Sequence, residues 1–127
     1  MSSGVTIRGD RRLNRNLRNA GAIAREAASD AILAVAYEVF AESQDEVPED
    51  ERDLRKSGWV KRITESREPA AKIGYATNYA AIQHETPWFS HRKGKWRYLR
   101  DPLDRARANL NKRIAQAVKS NLRRRAQ

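Results

Sequence analysis

From Leu13 to Val39 the chain carries one long apolar stripe. Leu13, Leu17, Ala20, Ala24, Ala28, Ile32, Val35 and Val39 recur at spacings of three or four, which lines them along one side of an α-helix. Ala36 and Phe40 widen the stripe toward its C-terminal half. Alanine dominates the middle of the segment, and it is the best helix former because it loses no side-chain freedom. The many small residues let a second element approach closely. Gly21 is a weak point where the helix bends or breaks, and Pro48 limits it because proline disfavours helical geometry in the residue before it. The stripe therefore predicts a long N-terminal helix ending before residue 48.

Such a helix needs something to bury its stripe. Residues 57–65 alternate weakly: Trp59, Lys61 and Ile63 oppose Val60, Arg62 and Thr64. Ser66-Arg67-Glu68-Pro69 reads as a turn. Ala71, Ile73 and Tyr75 then share one face of a second strand over 71–77, with Lys72 and Gly74 on the other. The pair predicts an antiparallel hairpin over about 57–77. A lone hairpin is marginally stable, so it must pack on the long helix. Tyr79–His84 reads as a helical turn or a strand, 86–95 as a loop, and Trp96–Leu99 as a short third strand. Asp101-Pro102 opens a last helix, because aspartate caps and proline fits where no amide donor is needed. Leu103, Ala106, Leu110, Ile114 and Ala117 form its apolar row, and Leu122 extends it. The predicted class is α+β: a long N-terminal helix and a C-terminal helix packed on a small antiparallel sheet.

The length of 127 residues suits a single domain, 1–127. Its parts read as a flexible or partner-ordered basic arm (1–12), a folded body (13–120) and a basic tail (121–127). Hydrophobic residues make up 39% and charged residues 33%, against roughly 45–50% and 25% in an average globular chain. The core is therefore thin. The N-terminus lacks the apolar run of a secretory signal, and no stretch approaches the roughly 20 apolar residues of a membrane span.

The net charge of +10 is unevenly spread: +4 over residues 1–20, −6 over 21–60, +1 over 61–90 and +11 over 91–127. Segregation of this kind steers association with an oppositely charged surface. The acidic stretch 38–53 of one copy can face the basic stretch 91–127 of another, or the basic stretch can face nucleic acid.

The chain has no cysteine, which excludes thiol nucleophiles, disulfides and thiolate metal sites. His84-Glu85 lacks the second histidine of a metalloprotease helix, since position 88 is tryptophan and Pro87 breaks the helix. The spacing of His84, Glu85 and His91 does not demand a metal. No phosphate-cradling glycine loop and no serine elbow is present. The expectation is a non-enzyme with no catalytic residue, no cofactor and no metal. Trp88-Phe89-Ser90-His91-Arg92-Lys93-Gly94-Lys95-Trp96-Arg97-Tyr98 interleaves aromatics with cations. That mixture suits base stacking with phosphate contact, and equally a protein–protein hot spot; the second carries more weight because no recognised nucleic-acid module accompanies it.

Three motifs together point further. Val47-Pro48-Glu49-Asp50-Glu51-Arg52-Asp53-Leu54-Arg55-Lys56-Ser57 resembles V-P-x-D-T-G-x-L-R-x-S. Tyr79-Ala80-Ala81-Ile82-Gln83-His84-Glu85 resembles Y-A-x-x-Q-H-E. Tyr98-Leu99-Arg100-Asp101-Pro102-Leu103 resembles an aromatic-Leu then Pro-Leu helix opening. In this order and spacing, across about residues 13–118, the chain resembles the neck or tail-completion proteins of long-tailed bacteriophages, also described as minor capsid or head–tail joining proteins. It departs from their pattern at Glu51-Arg52, in place of Thr-Gly, and at Thr86-Pro87, where a glycine usually follows the acidic residue. The resemblance implies a long helix, the first motif, a β-hairpin and a last helix. It implies a structural virion protein at the head–tail junction, assembled in the bacterial host cytoplasm. The subunit would form a homo-oligomeric ring, six-fold or twelve-fold, joining the head-completion complex to the tail tube. Its partners would be head-completion, tail-terminator or tail-tube proteins, with DNA passing through the lumen without sequence-specific binding and no membrane contact. The expected interface residues are Glu49, Asp50, Glu51 and Asp53 on the acidic side, Trp88, Phe89, Arg92, Lys93, Trp96 and Tyr98 in the loop, and Arg123, Arg124 and Arg125 at the tail. The competing reading is a basic nucleic-acid-binding protein using the C-terminal helix and the aromatic-basic loop.

Overall fold

A computed structural model describes residues 3–47, 55–64, 66–75 and 99–126. Among these residues the order is β1 (Ser3–Arg8), α1 (Arg11–Ala20), α2 (Ala22–Glu46), β2 (Gly58–Ile63), β3 (Ala70–Tyr75) and α3 (Arg100–Ala126). The strands form one antiparallel sheet in the order β1-β3-β2. The α+β architecture is as the sequence predicts, with helices packed on a small sheet.

The predicted hairpin forms as β2 and β3, with Val60 opposite Ile73 and Gly58 opposite Tyr75. The N-terminal segment is a correction. Instead of a flexible or partner-ordered arm over 1–12, Ser3–Arg8 pairs with the free edge of β3, Val5 opposite Ile73 and Ile7 opposite Ala71, and α1 begins at Arg11. Ile7 is 1% exposed, so the strand is anchored by burial as well as by the ladder.

Residues directly opposite one another share a face of the sheet. Val5, Ile7, Val60, Ala71, Ile73 and Tyr75 therefore form one face, and they join a core with Ala24, Ala28, Ile32, Val35, Ala36 and Val39 of α2. Arg62 lies on this face and ties it to α2, donating to the Ser29 Oγ at 2.6 Å and pairing with Asp30 at 2.9 Å. At the other end of β2, Gly58 meets Phe40 and Gln44 so closely that a Cβ would lie 2.6 Å from each. The Tyr75 hydroxyl is bonded to the Ser43 hydroxyl at 2.7 Å and accepts from the Gln44 amide at 3.3 Å. Its ring stands 6.1 Å from that of Phe40, and burial pushes the phenol up from its ordinary pKa against these hydrogen bonds. Trp59 is half-buried, on the sheet face opposite Ile73 and Tyr75. Tyr79 lies outside the described residues.

The long helix breaks at Gly21, whose φ of 96° falls in the region that L side chains rarely adopt. Arg25 closes the break, its guanidinium donating to the Arg18 carbonyl at 3.4 Å and its amide to the Gly21 carbonyl at 3.2 Å. Leu17 and the α2 positions of the stripe are buried, Leu13 is half-buried, and Ala20, beside the break, is exposed.

The last helix starts at Arg100, one residue earlier than Asp101-Pro102 suggests, with the Leu103 amide bonded to the Leu99 carbonyl at 3.2 Å. Pro102 sits in the first turn, where no internal donor is lost. Leu99 is therefore in the turn that begins α3; the remainder of the proposed third strand, 96–98, lies outside the described residues. Leu103, Leu110 and Ile114 are buried against α2, with Ala106 and Val118 packed around them. Leu122 is 42% exposed, so it does not extend the buried row.

Candidate interaction surface

Two charged rows flank the α2–α3 contact. Glu38, Glu42 and Glu46 recur every four residues on α2, and Arg105 and Arg113 face them from α3. The Arg113 guanidinium donates to both carboxylate oxygens of Glu38, with Nη1 at 2.9 Å from Oε1. Arg105 Nη2 lies 3.2 Å from Glu42 and 3.4 Å from Glu46. Since Arg105 meets Glu42 and Glu46 while Arg113 meets Glu38, the two helices run antiparallel. Between them is a depression of about 140 Å³ lined by Val35, Val39, Ala106, Asn109 and the paired charges. It is smaller than the roughly 300 Å³ at which small-molecule pockets begin.

These pairs change the reading of the segregated charge. Three acidic side chains of 38–53, expected to meet another copy, are already matched within the chain. The hydrogen bonds from Arg113, reinforced by its charge, hold the Glu38 carboxyl below its ordinary pKa, with burial opposing them. A carboxylate with a depressed pKa stabilises the fold above the unfolded-state value, and that contribution is lost as pH falls through the folded-state value. The pair is open to water, Arg113 and Glu38 side chains being 42% and 56% exposed, so screening limits it to about 1 kcal/mol or less. Glu38→Gln is expected to lower stability by that amount at neutral pH. Urea melts should show the deficit vanish at acid pH, once Glu38 is protonated in both states of the wild-type chain.

Two groups of exposed arginines stand out among the described residues. Arg123 and Arg124 are exposed on the last turn of α3 and have no acidic partner among the described residues; Arg125 belongs to the same turn. On α1, Arg11, Arg12, Arg15 and Arg18 are exposed, and none forms an ion pair with a described residue. At 3.6 residues per turn they occupy an arc of about 120°. The arc lies away from the buried side defined by Asn14 and Leu17.

The α1 helix is firmly seated. The Asp10 Oδ1 accepts from the Leu13 amide at 2.8 Å, an N-cap. The Asp10 Oδ2 accepts from the Asn111 side chain of α3 at 2.8 Å, and the Asp10 amide donates back at 3.3 Å. The buried Asn14 amide donates to the Gly9 carbonyl at 3.0 Å and to Glu68 at 3.2 Å. The basic head and the basic tail of the sequence are thus joined at Asp10–Asn111.

Of the expected interface residues, Glu49, Asp50, Glu51, Asp53, Trp88, Phe89, Arg92, Lys93, Trp96 and Tyr98 lie outside the described residues, as do His84, Glu85 and His91. The ends of the acidic connector are within reach of each other: Arg55 Nη2 donates to the Val47 carbonyl at 2.8 Å, and the Gln44 side chain donates to the Arg55 carbonyl at 3.0 Å. Sequence reasoning missed the α1 arginines as a surface, because it assigned half of them to an arm. It also missed the α2–α3 pairs, although the four-residue spacing of Glu38, Glu42 and Glu46 was a usable signal. Among the described residues no group of three or more acidic or histidine side chains could hold a metal, and no helix is long and apolar enough to cross a membrane. No protein-family model matches this chain, and no curated protein or solved structure matches it.

Proposed function

We propose that this chain is a structural subunit of the head–tail junction of a long-tailed phage, a neck or tail-completion protein acting in a ring between the head-completion complex and the tail tube. The observation that supports it is where the motif regions fall. The first starts at Val47, at the end of α2, and finishes at Ser57, immediately before β2; the third spans the start of α3. The long helical segment, hairpin and last helix thus stand in the order that the resemblance implies. The subunit acts by geometry, presenting different surfaces to its two neighbours, as a ring with a heterologous interface requires. With Glu38, Glu42 and Glu46 matched internally, the arginines at the end of α3, which have no acidic partner among the described residues, are the charges we assign to one of these contacts.

The test is mass measurement of the assembly, alone and with neighbouring head-completion and tail proteins, for the wild type and for Arg123→Glu/Arg124→Glu/Arg125→Glu. The expected result is a ring with its partners that the charge-reversed variant forms poorly, and a wild-type assembly that weakens with salt. Ring formation indifferent to both the substitutions and salt would remove the proposed contact. A chain that stays monomeric with every neighbour would remove the proposed function.

A further inference from the structure

The exposed side of α1 is chemically uniform. In angular order around the helix it presents Arg18, Arg11, Arg15, Asn19, Arg12 and Asn16. Every one of these side chains is exposed, and the arc holds only arginine and asparagine. The four arginines have no acidic partner among the described residues. Meanwhile the opposite side of the helix is locked by the Asp10 cap, the Asn14 hydrogen bonds and buried Leu17. A rigid element thus holds four guanidinium groups in water without a counter-charge among the described residues.

We infer that the arginine side of α1 is a docking surface for the phosphodiester backbone of a duplex nucleic acid. The inference goes beyond the ring function and does not rest on it. Three considerations select this occupant. A protein partner would be expected to find an aromatic or aliphatic anchor at the centre of its contact, and this arc has none. Arginine and asparagine are instead side chains that bond phosphate oxygens and fix a protein on a duplex without reading its sequence. A second copy of the chain carries the same net charge of +10 and is a weaker match for this arc than a polyphosphate, which is attracted to it. Arg11 and Arg18 are about 10 Å apart along the helix axis, comparable to the rise of about three base pairs, about 3.4 Å each, measured along a duplex axis. Single strands are a poorer match, since their sequence-tolerant binding uses stacked aromatics. The surface also differs from the one read from the sequence, which placed nucleic-acid contact on the last helix and the aromatic-basic loop.

The experiment measures binding of the full chain to 30-base-pair duplexes of mixed sequence, one DNA and one RNA, over a series of salt concentrations. Each phosphate contact contributes about −0.9 to the slope of log K against log salt. Arg11→Gln/Arg12→Gln/Arg15→Gln/Arg18→Gln is therefore expected to make the slope shallower by up to about 3.6, and Arg12→Gln/Arg15→Gln by about half as much. The comparison protein is Lys56→Gln/Lys61→Gln/Lys112→Gln/Lys119→Gln, which removes the same charge from exposed positions elsewhere and is expected to keep nearly the whole slope. Circular dichroism should show all variants equally helical; the double variant decides the matter if the quadruple one misfolds. Binding of DNA and RNA duplexes alike supports contact through the shared backbone, and preference for one names its source. Equal losses in the α1 and lysine variants would overturn the inference, as would wild-type chain that binds neither duplex. Displacement of duplex by polyglutamate at equal charge concentration would also overturn it, assigning the surface to an acidic protein.

Discussion

Ile7→Ala is expected to lower the stability of the fold by about 2–5 kcal/mol, the range for truncating a fully buried aliphatic side chain. Thr6→Ala, one residue away and exposed, should stay within about 0.5 kcal/mol. The contrast follows from the alternation of β1: Ile7 stands in the core at 1% exposure opposite Ala71, while Thr6 points the other way. Deleting residues 1–8 should cost more than Ile7→Ala. It removes a strand whose six residues are in register with β3, strips cover from Ile73 and turns the central strand β3 into a sheet edge. A small domain has only about 5–15 kcal/mol in total, so the deletion is expected to leave little folded protein. Urea unfolding of the three proteins checks this. A segment that was only an arm would give three superimposable curves.

The same strand shows where legibility ends. The helices were readable because stripes of eight and five apolar positions repeat a 3.6-residue period, and the hairpin because a turn separates two alternating runs. In β1 only Val5 and Ile7 are apolar, flanked by Gly4 and Gly9, and two alternate positions do not make a period. In its partner β3, Ala70, Ala71, Ile73, Gly74 and Tyr75 are all buried and only Lys72 between them is half-buried, whereas β2 has no fully buried residue. The contrast with β2 fits the central place of β3 in the order β1-β3-β2. Gly21 was visible as a weak point, but whether it bends or breaks the helix depends on its φ, which only the packed structure settles. The surface was less legible for a different reason. Glu38, Glu42 and Glu46 have the same chemistry whether they meet arginines of α3 or of another chain. Only the antiparallel packing of α2 on α3, set by Val35, Val39, Leu110 and Ile114, decides that they are satisfied internally. The α1 arginines were hidden by the arm assignment, which removed Arg11 and Arg12 from the helix that aligns them with Arg15 and Arg18.

Ile114→Ala is expected to cost about 2–5 kcal/mol, whereas Leu122→Ala, two turns further along the same helix, should cost about 0.5 kcal/mol or less. Ile114 is fully buried against α2, and Leu122 is 42% exposed. With 27 residues α3 is about 40 Å long, and beyond Ile114 its residues become half-buried or exposed, ending in Arg123 and Arg124. Stability is thus concentrated in the first half of the helix, and the charge available to a partner is concentrated at its end. The separation makes the charge-reversal experiment informative: substitutions at Arg123 and Arg124 should leave the denaturation midpoint nearly unchanged, so a loss of assembly reports on contact and not on unfolding. If Leu122→Ala proved as costly as Ile114→Ala, the end of α3 would be part of the core, and a loss of assembly in the charge-reversed protein would have to be reassigned to the fold.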